Sequence, residues 1–276
     1  MEGKFKMSIR ILVLRAPGTN CDEETARALR EVGAHVDVIH TGKLIRREVD
    51  IFHYHGLVLP GGFSYGDHVR AGAIWAKKLK ARLGDVLLEY VEDERPILGI
   101  CNGFQVLVEL SLLPGWDYES SPQATLAPNI SAKFETRWVY LRHENSGKCI
   151  FTKNLPKGTI LRMPIAHKEG RFLLAHENHL KTLLLKDQIV FRYVKPNGTD
   201  ANGEYPHNPN GSLYDIAGIC NPKGNILGLM PHPERAVYSW QLPDYTSIKH
   251  KEEIRYYADG WYIFKSMINY ILEEVL

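Results

Sequence analysis

The sequence predicts an α/β fold with a doubly wound, mostly parallel β-sheet and an antiparallel β-rich addition in the second half. In the first half, short apolar runs alternate with stretches of helical spacing, as expected for buried parallel strands joined by helices. In the second half, apolar runs follow one another across turns rich in Pro, Asn and Gly. No linker or repeat divides the chain, so we expect a single domain over residues 9–276 after an extension of residues 1–8.

The first half alternates strand-like and helix-like segments from its first apolar run onward. Each predicted helix has an apolar stripe at helical spacing and is followed by a Gly or Pro signal. The predicted strands are Ile11–Leu14, Val36–Ile39, Leu57–Pro60 and Pro96–Ile100. The predicted helices run from Asn20 or Asp22 to Gly33, over Ile74–Val91 and over Gln105–Leu113.

The second half consists mainly of strand candidates that are separated by Gly-containing turns. They are Thr136–Leu141, Thr159–Pro164, Gln188–Val194, Leu213–Cys220 and Asn225–Met230. The last segment, from about Glu252 to Leu276, has apolar residues at helical spacing despite Gly260. We therefore expect a C-terminal helix that packs on the body of the domain.

The chain of 276 residues is nearly balanced in charge, with 34 Lys and Arg against 32 Asp and Glu and a formal net charge of +2. Such a balance gives no general attraction to nucleic acid or to an anionic membrane. No apolar stretch approaches the roughly 20 residues of a membrane-spanning helix, and the N-terminal apolar run is too short for a secretion signal. No two of the four cysteines form a CxxC pair. We therefore expect a cytoplasmic protein with reduced thiols and with no nucleic-acid or membrane partner.

The pattern G-x-C-x-G at residues 99–103 places Cys101 between an apolar strand and a predicted helix. This is the arrangement of a nucleophile elbow, with sulfur in place of a hydroxyl group. The flanking glycines allow the sharp turn, and the helix N-terminus favours a thiolate. The backbone N–H of Asn102 is a candidate oxyanion donor. The alternative is a buried cysteine at an ordinary strand–turn–helix junction.

A nucleophilic cysteine needs a base, and the base needs a group that orients it. The segment MPHPE at residues 230–234 follows an apolar strand, and its two prolines restrict the loop around His232. Glu234 can hold one imidazole nitrogen of His232 while the other nitrogen faces the sulfur. The alternative is that His232 is a plain loop residue.

The segment LPGGF at residues 59–63 ends another predicted strand. Gly61 and Gly62 allow backbone N–H groups to face a ligand with no side chain in the way. This segment is therefore the candidate source of a second oxyanion donor. The alternative is a simple Gly-rich turn.

Together these segments resemble one enzyme family. PGGFSYGD at 60–67, GICNGFQ at 99–105 and MPHPER at 230–235 resemble the class I (triad) glutamine amidotransferases, which have a flavodoxin-like fold. LRAPGTNCD at 14–22, PIAHKEGRF at 164–172 and NPNGS at 208–212 resemble, within that class, the glutaminase subunit of phosphoribosylformylglycinamidine synthase. The resemblance runs from about residue 9 to the C-terminal helix.

The resemblance implies a role for each matching residue. Cys101 attacks the side-chain amide carbon of glutamine, His232 relays a proton to the leaving ammonia and then activates water, and Glu234 orients His232. The oxyanion N–H groups come from Gly62 and Asn102. The implied set of oxyanion and substrate-binding residues is Gly61, Gly62, Phe63, Asn102 and Gln105.

The resemblance also implies the fate of the ammonia. It travels to a separate synthetase subunit, which uses ATP and Mg to convert formylglycinamide ribonucleotide to the amidine in de novo purine biosynthesis. A third, small subunit bridges the two. This chain is expected to need no cofactor and no metal of its own. Lys168 and Ala16 depart from the family pattern, which bears on partner docking and not on glutamine hydrolysis.

Other polar residues have weaker signals. His167, Glu169 and Arg171 lie on a predicted loop and are candidates for docking the synthetase subunit or for supporting the site. Cys21 is interpreted as a packed residue, because no His–carboxylate pair is signalled for it. The alternating His53 and His55 are interpreted as partly exposed strand residues, because a metal site would need a third ligand.

Two other functions are compatible with parts of these patterns. A stand-alone γ-glutamyl hydrolase or peptidase shares the fold and the elbow, so the elbow alone does not exclude it. Such an enzyme would be fully active without a partner. A non-enzymatic relative would be expected to lack a member of the triad, yet Cys101, His232 and Glu234 are all present.

Overall fold

A computed structural model describes residues 8–118, 121–249 and 255–276 of the chain. The strands are β1 (Arg10–Arg15), β2 (His35–His40), β3 (Gly56–Leu59), β4 (Ile97–Ile100), β5 (Ala124–Pro128), β6 (Glu135–His143), β7 (Ile160–His167), β8 (Glu169–Leu174), β9 (Ile189–Val194), β10 (Ile216–Cys220) and β11 (Ile226–Leu229). The α-helices are α1 (Asp22–Glu31), α2 (Thr41–Ile45), α3 (Ala73–Glu92), α4 (Asn102–Glu109), α5 (Asn178–Leu185), α6 (Tyr245–Ile248) and α7 (Trp261–Tyr270).

A nine-stranded sheet forms the centre of the molecule, in the order β2-β1-β3-β4-β11-β10-β9-β6-β7. Neighbouring strands from β2 to β11 are parallel. From β11 to β7, neighbouring strands are antiparallel. A small antiparallel sheet of β5 and β8 stands apart from it. The predicted fold class is therefore confirmed, and most of the antiparallel addition continues the same sheet.

Helices cover both faces of the parallel part of the sheet. The connection β1-α1-β2 leads to one side of β1, whereas β3-α3-β4 leads to the other side. Because such crossovers are right-handed, α1 and α3 lie on opposite faces. α4 packs against α3, and α7 packs against α1. Every residue of β3, β4 and β11 is buried between these layers, which explains their uninterrupted apolar sequences.

The strands predicted in the first half are confirmed close to their predicted bounds. The third predicted helix, Gln105–Leu113, is shifted, because α4 begins at Asn102 directly after the turn at Cys101. The predicted strand Leu213–Cys220 is wrong at its start. Residues Leu213–Asp215 form a 3-10 turn in which Tyr214 has a φ of 53°, a left-handed conformation that does not fit a strand.

The ends of the chain are described only in part. The predicted C-terminal helix begins at Trp261 and not near Glu252, and residues 250–254 lie outside the described residues. Residues 1–7 of the predicted extension also lie outside them, so the extension and the domain bounds 9–276 stay predictions. In the described ranges, no helix is both long and apolar enough to cross a membrane.

Candidate active site

Three neighbouring parallel strands end at one edge of the sheet. Leu59 of β3 pairs with Gly99 of β4, and Ile100 of β4 pairs with Leu229 of β11. The residues that follow these strands therefore emerge side by side at their carboxyl ends, where doubly wound folds place their functional groups. This register brings together the three segments singled out in the sequence, around Gly61, Cys101 and His232.

The turn at Cys101 has the geometry of a nucleophile elbow. Cys101 has φ 50° and ψ −103°, a strained conformation held by the bond from its N–H to Leu229 O at 2.8 Å. A Cβ at Gly99 would lie 2.5 Å from Leu107 Cδ1, and one at Gly103 would lie 1.9 Å from Leu59 O. Both glycines are therefore required by close packing. The sulfur is almost buried and lies 3.7 Å from Ala166 O.

His232 and Glu234 form a buried pair beside this turn. The Nδ1 atom of His232 and the Oε1 atom of Glu234 are 2.6 Å apart, and both side chains are buried. The backbone N–H of His232 donates to Pro164 O at 2.8 Å. Burial disfavours the imidazolium, but the Glu234 carboxylate and the neighbouring thiol of Cys101 outweigh it, so the pKa of His232 lies well above its usual value. The arrangement supplies a base that is oriented by a carboxylate.

The candidate oxyanion donors lie on two sides of the sulfur. Asn102 is the first residue of α4, so its N–H has no partner within the helix. Gly62 has a φ of 141°, and a Cβ there would lie 2.7 Å from Asn20 N. The N–H of Phe63, in contrast, donates to Gly18 O at 2.9 Å. Asn102 and Gly62 are therefore the better placed donors of the predicted set.

The two other predicted residues of this set shape the surroundings. A Cβ at Gly61 would lie 2.8 Å from His232 Cε1 and 3.0 Å from the sulfur of Cys21, so only glycine fits behind the imidazole. The Gln105 side chain is engaged: its Nε2 donates to Glu169 O, and its Oε1 accepts from Asn102 Nδ2 at 3.0 Å. Gln105 thus ties α4 to β8.

A cavity of about 290 Å³ lies directly beside Cys101. Its size suits an amino acid, at the small end of ligand cavities. Besides the sulfur, its walls include Gly62, Phe63, Gln105, Ala166, His167 and Glu169. A larger groove of about 650 Å³ lies along α3, but its lining contains no cysteine, histidine or carboxylate.

One wall of the cavity carries two carboxyl groups, Asp67 and Glu169. No sequence pattern had indicated a function for Asp67. Burial, together with the charge of Glu169, raises the pKa of Asp67 to about 6. Glu169 Oε2 accepts from the Ala71 N–H at 2.9 Å. This wall is suited to a positively charged group of a ligand.

The docking prediction for His167, Glu169 and Arg171 is wrong for His167 and stays a prediction for the other two residues. His167 is the last residue of β7, and its side chain is buried, so it cannot meet a partner subunit. Glu169 lines the cavity, and Arg171 is half-buried with a buried Nε. The predicted loop is instead the junction of β7 and β8, whose strand pairing turns these residues inward. Support of the site is the surviving interpretation for His167.

Cys21 is packed, as predicted, but its surroundings are unexpected. The His232–Glu234 pair lies beside it, although the sequence signalled no such pair for Cys21. Its sulfur donates to Asn20 Oδ1 and accepts from Arg235 Nη2, both at 3.2 Å. Burial raises the pKa of Cys21 to about 11, so it stays a neutral thiol.

Cys21, His232 and Glu234 are also the one group among the described residues that could hold a metal ion, with ligand atoms within 4.8 Å of one another. Two observations oppose a cation there. The Arg235 guanidinium lies against the Cys21 sulfur, and the short bond between His232 and Glu234 already uses two ligand atoms. The sequence-based expectation of no metal stays a prediction.

The prediction for the alternating histidines is confirmed in that both are at least partly exposed, but their placement on a strand is wrong. His53 ends a 3-10 turn, Ile51–His53. His55 Nδ1 accepts the Arg10 N–H at 2.9 Å, directly before β3. Their backbone follows the turn and not the alternation of a strand, because β3 begins only at Gly56.

Comparisons with known proteins show which sequences and structures this chain is similar to. The family described as CobB/CobQ-like glutamine amidotransferase domain matches residues 8–271. Phosphoribosylformylglycinamidine synthase subunit PurQ of Archaeoglobus fulgidus is 45% identical over 95% of this chain and 97% of that protein. The same subunit of Treponema denticola is 44% identical over 96% of this chain and 100% of that protein. A chain in the structure of PurLQS from Thermotoga maritima superposes with a TM-score of 0.72 at 33% identity, covering 96% of this chain and 100% of that chain.

Proposed function

Because this chain belongs to the glutamine amidotransferases and, within them, to the PurQ subunits of phosphoribosylformylglycinamidine synthase, we propose that Cys101, His232 and Glu234 hydrolyse glutamine to glutamate and ammonia. The observation that carries this assignment is the strained, almost buried thiol of Cys101 beside a buried His–Glu pair bonded at 2.6 Å. A nucleophile, a base and an orienting carboxylate are the groups that acyl transfer requires.

The reaction proceeds in two halves. The Cys101 thiolate attacks the amide carbon, and the N–H groups of Asn102 and Gly62 stabilise the negative oxygen. His232 donates its Nε2 proton to the nitrogen as the C–N bond breaks, which releases ammonia and leaves a γ-glutamyl thioester. Water then attacks the thioester while His232 takes its proton, and the C–S bond breaks to give glutamate and the thiolate.

The cavity matches the substrate in size and charge. Its acidic wall of Asp67 and Glu169 suits the α-ammonium group of glutamine. Phe63 and Phe134 both line the cavity, and their ring centroids are 6.3 Å apart. Phe63, which is 44% exposed, covers one side of the cavity. The side-chain amide then reaches the sulfur at the opposite end.

The ammonia serves phosphoribosylformylglycinamidine synthase, in which the PurL synthetase subunit makes formylglycinamidine ribonucleotide from formylglycinamide ribonucleotide. The partners of this chain are accordingly the synthetase subunit and the small PurS subunit of the same complex. The synthetase subunit uses ATP and Mg, and this chain needs no cofactor of its own. The complex works in the cytoplasm. The PurLQS likeness and the relatives that match over nearly the full chain support the assignment of the partners.

A stand-alone γ-glutamyl hydrolase is not favoured, since the relatives that cover this chain are subunits of a synthase. The discriminating measurement is glutamine hydrolysis with and without the synthetase subunit. An amidotransferase subunit is weak until its synthetase binds, whereas a stand-alone hydrolase reaches its full rate alone.

The triad assignment is tested with Cys101→Ala in the reconstituted complex. Synthesis from glutamine should vanish, while synthesis from added ammonium continues at the wild-type rate. Cys149→Ala is the matched control, because Cys149 is equally buried but lies outside the cavity. Glutamine-dependent synthesis that survives in Cys101→Ala would show that another group is the nucleophile.

A further inference from the structure

We propose that the Nε2 atom of His167 is a binding subsite for the amide nitrogen of glutamine and for the ammonia released from it. The inference rests on the proposed glutaminase function and adds a neutral hydrogen-bond acceptor to that site. No sequence pattern assigned this role to His167, which was expected on a loop.

The tautomer of His167 follows from its neighbour Asn129. The Asn129 Nδ2 group donates to Lys133 O at 3.0 Å and to His167 O at 2.9 Å, which fixes the orientation of the amide. Asn129 Oδ1 therefore faces His167 Nδ1, 3.1 Å away, and accepts its proton. Since one nitrogen of a neutral imidazole carries the proton, Nε2 holds the free lone pair.

The lone pair has no hydrogen-bond partner in the part of the chain that the structure describes. His167 is 3% exposed, and its Nε2 is buried without a hydrogen bond among the described residues. The ring lines the cavity that contains Cys101. A buried acceptor without a partner costs about 1–3 kcal/mol. A ligand that brings an N–H into the cavity recovers this cost.

The backbone keeps space for the ring in this orientation. A Cβ at Gly170 would lie 2.3 Å from His167 Cε1 and 2.4 Å from Nδ1, so any larger residue would displace the imidazole. The ring is thus held from two sides, by glycine on β8 and by the Asn129 amide. Such support is expected of a group whose position matters to a ligand.

The chemistry of the amide indicates which of its atoms binds His167. The amide oxygen can only accept hydrogen bonds and is directed to the N–H groups of Asn102 and Gly62. The amide nitrogen carries two N–H groups and needs acceptors. Ala166 and His167 both line the cavity. Each offers an acceptor: Ala166 O, which lies 3.7 Å from the Cys101 sulfur, and the Nε2 of His167, which has no hydrogen-bond partner among the described residues.

The charge state of His167 suits a leaving group that must remain ammonia. Burial, and then the charge of the nearby His232, lowers the pKa of His167 to about 3. His167 therefore stays neutral near pH 7 and carries no proton on Nε2 that it could donate. His232 provides the one proton that the leaving nitrogen needs, while His167 only accepts, so the product is neutral ammonia and not ammonium.

The test compares two substrates of the reconstituted complex, L-glutamine and L-glutamate γ-methyl ester. Both form the same thioester, but the ester oxygen has no N–H to offer His167. In His167→Leu, kcat/KM for glutamine should fall by about 5- to 100-fold more than kcat/KM for the ester. Gly170→Ala, which displaces the ring without removing it, should shift the ratio in the same direction.

His143→Leu is the matched control, because His143 is buried with an unpartnered Nε2 but does not line the cavity. This variant should leave the ratio of kcat/KM for glutamine to kcat/KM for the ester unchanged. Equal losses on both substrates in His167→Leu and Gly170→Ala would mean a purely structural role, and unchanged kinetics would mean no contact; either overturns the proposal. Failure of the proposed function is distinct, because Cys101→Ala would then retain hydrolysis of both substrates.

Discussion

The parallel and the antiparallel parts of the sheet contribute different things to the cavity beside Cys101. The parallel strands deliver the reactive groups, Cys101 and His232, together with Gly61, at their carboxyl ends. The antiparallel part and the small sheet deliver the opposite wall, with His167 at the end of β7 and Glu169 at the start of β8. Reactive groups thus depend on strand order, whereas the wall depends on how later strands close over it.

The two buried histidines show what this division means chemically. His232 is bonded to a carboxylate, and its pKa is raised. His167 is bonded to the amide of Asn129, and its pKa is lowered to about 3. Both rings are buried, but only His232 has a carboxylate partner that opposes the effect of burial, so only His232 is favoured as the positively charged imidazolium.

Glu234→Gln removes the difference between the two histidines and should have the largest effect. His232 would then have an amide partner, as His167 does, and its pKa should fall because burial is then opposed only by the neighbouring cysteines. We expect kcat/KM for glutamine to drop by about 10³- to 10⁴-fold, as for other triads that lose the orienting carboxylate. The measurement is the pH dependence of glutamine hydrolysis by the complex.

Glu48→Gln is the control for this variant, because Glu48 is exposed and its carboxylate pairs with Arg46, away from the cavity. Its kinetics should match the wild type. A Glu234→Gln enzyme within tenfold of the wild type would mean that Glu234 does not orient His232.

Gly103→Ala tests the tight packing of the parallel edge. The added Cβ would lie 1.9 Å from Leu59 O, so β3 and α4 must separate. We expect a loss of about 3 kcal/mol in the free energy of unfolding. Gly84→Ala in α3 is the matched control, since nothing lies within 4 Å of its Cβ, and it should gain about 0.5–1 kcal/mol. The measurement is urea unfolding of both variants. Equal changes in their free energies of unfolding would contradict the packing argument.

The free energy of unfolding should decrease at acid pH because of His167. Its folded pKa of about 3 lies below the unfolded value near 6.5, so the unfolded chain binds the proton first as pH falls. Stability is therefore full above about pH 6.5 and is lost on acidification toward pH 3. Between pH 7 and 5 the wild type should lose about 2 kcal/mol that His167→Leu does not lose. Identical pH profiles in urea unfolding would contradict the low pKa.

Cys21→Ala should have the smallest effect. Cys21 lies beside the same imidazole as Cys101, but it is a neutral thiol held by Asn20 and Arg235. We expect a loss of less than about tenfold in kcat/KM for glutamine, since only packing behind the ring changes. A glutamine-mimicking electrophile should still label Cys101. A loss as large as that of Cys101→Ala would assign Cys21 a direct part in the reaction.

Local patterns predicted much of the parallel half and its reactive residues. The G-x-C-x-G turn and the MPHPE segment can be read over a few residues, because a sharp turn needs glycine and a restricted loop needs proline. β5, β8 and α5 were not predicted, and the β7–β8 junction was mistaken for a loop. The strand segments among them carry weak periodicity, and their strand character arises from pairing with distant partners.

The sequence by itself determined the fold class, the elbow at Cys101 and the candidate base at His232, since each depends on short-range spacing. Tertiary structure alone decided that Cys21 lies against His232, and that His167 is buried and neutral. The physical reason is that burial and hydrogen-bond partners are set by packing between distant segments: Asn129 and His167 are 38 residues apart in the chain. His167 and His232 are the same type of residue, and only their neighbours in the folded structure determine which of the two imidazoles is charged.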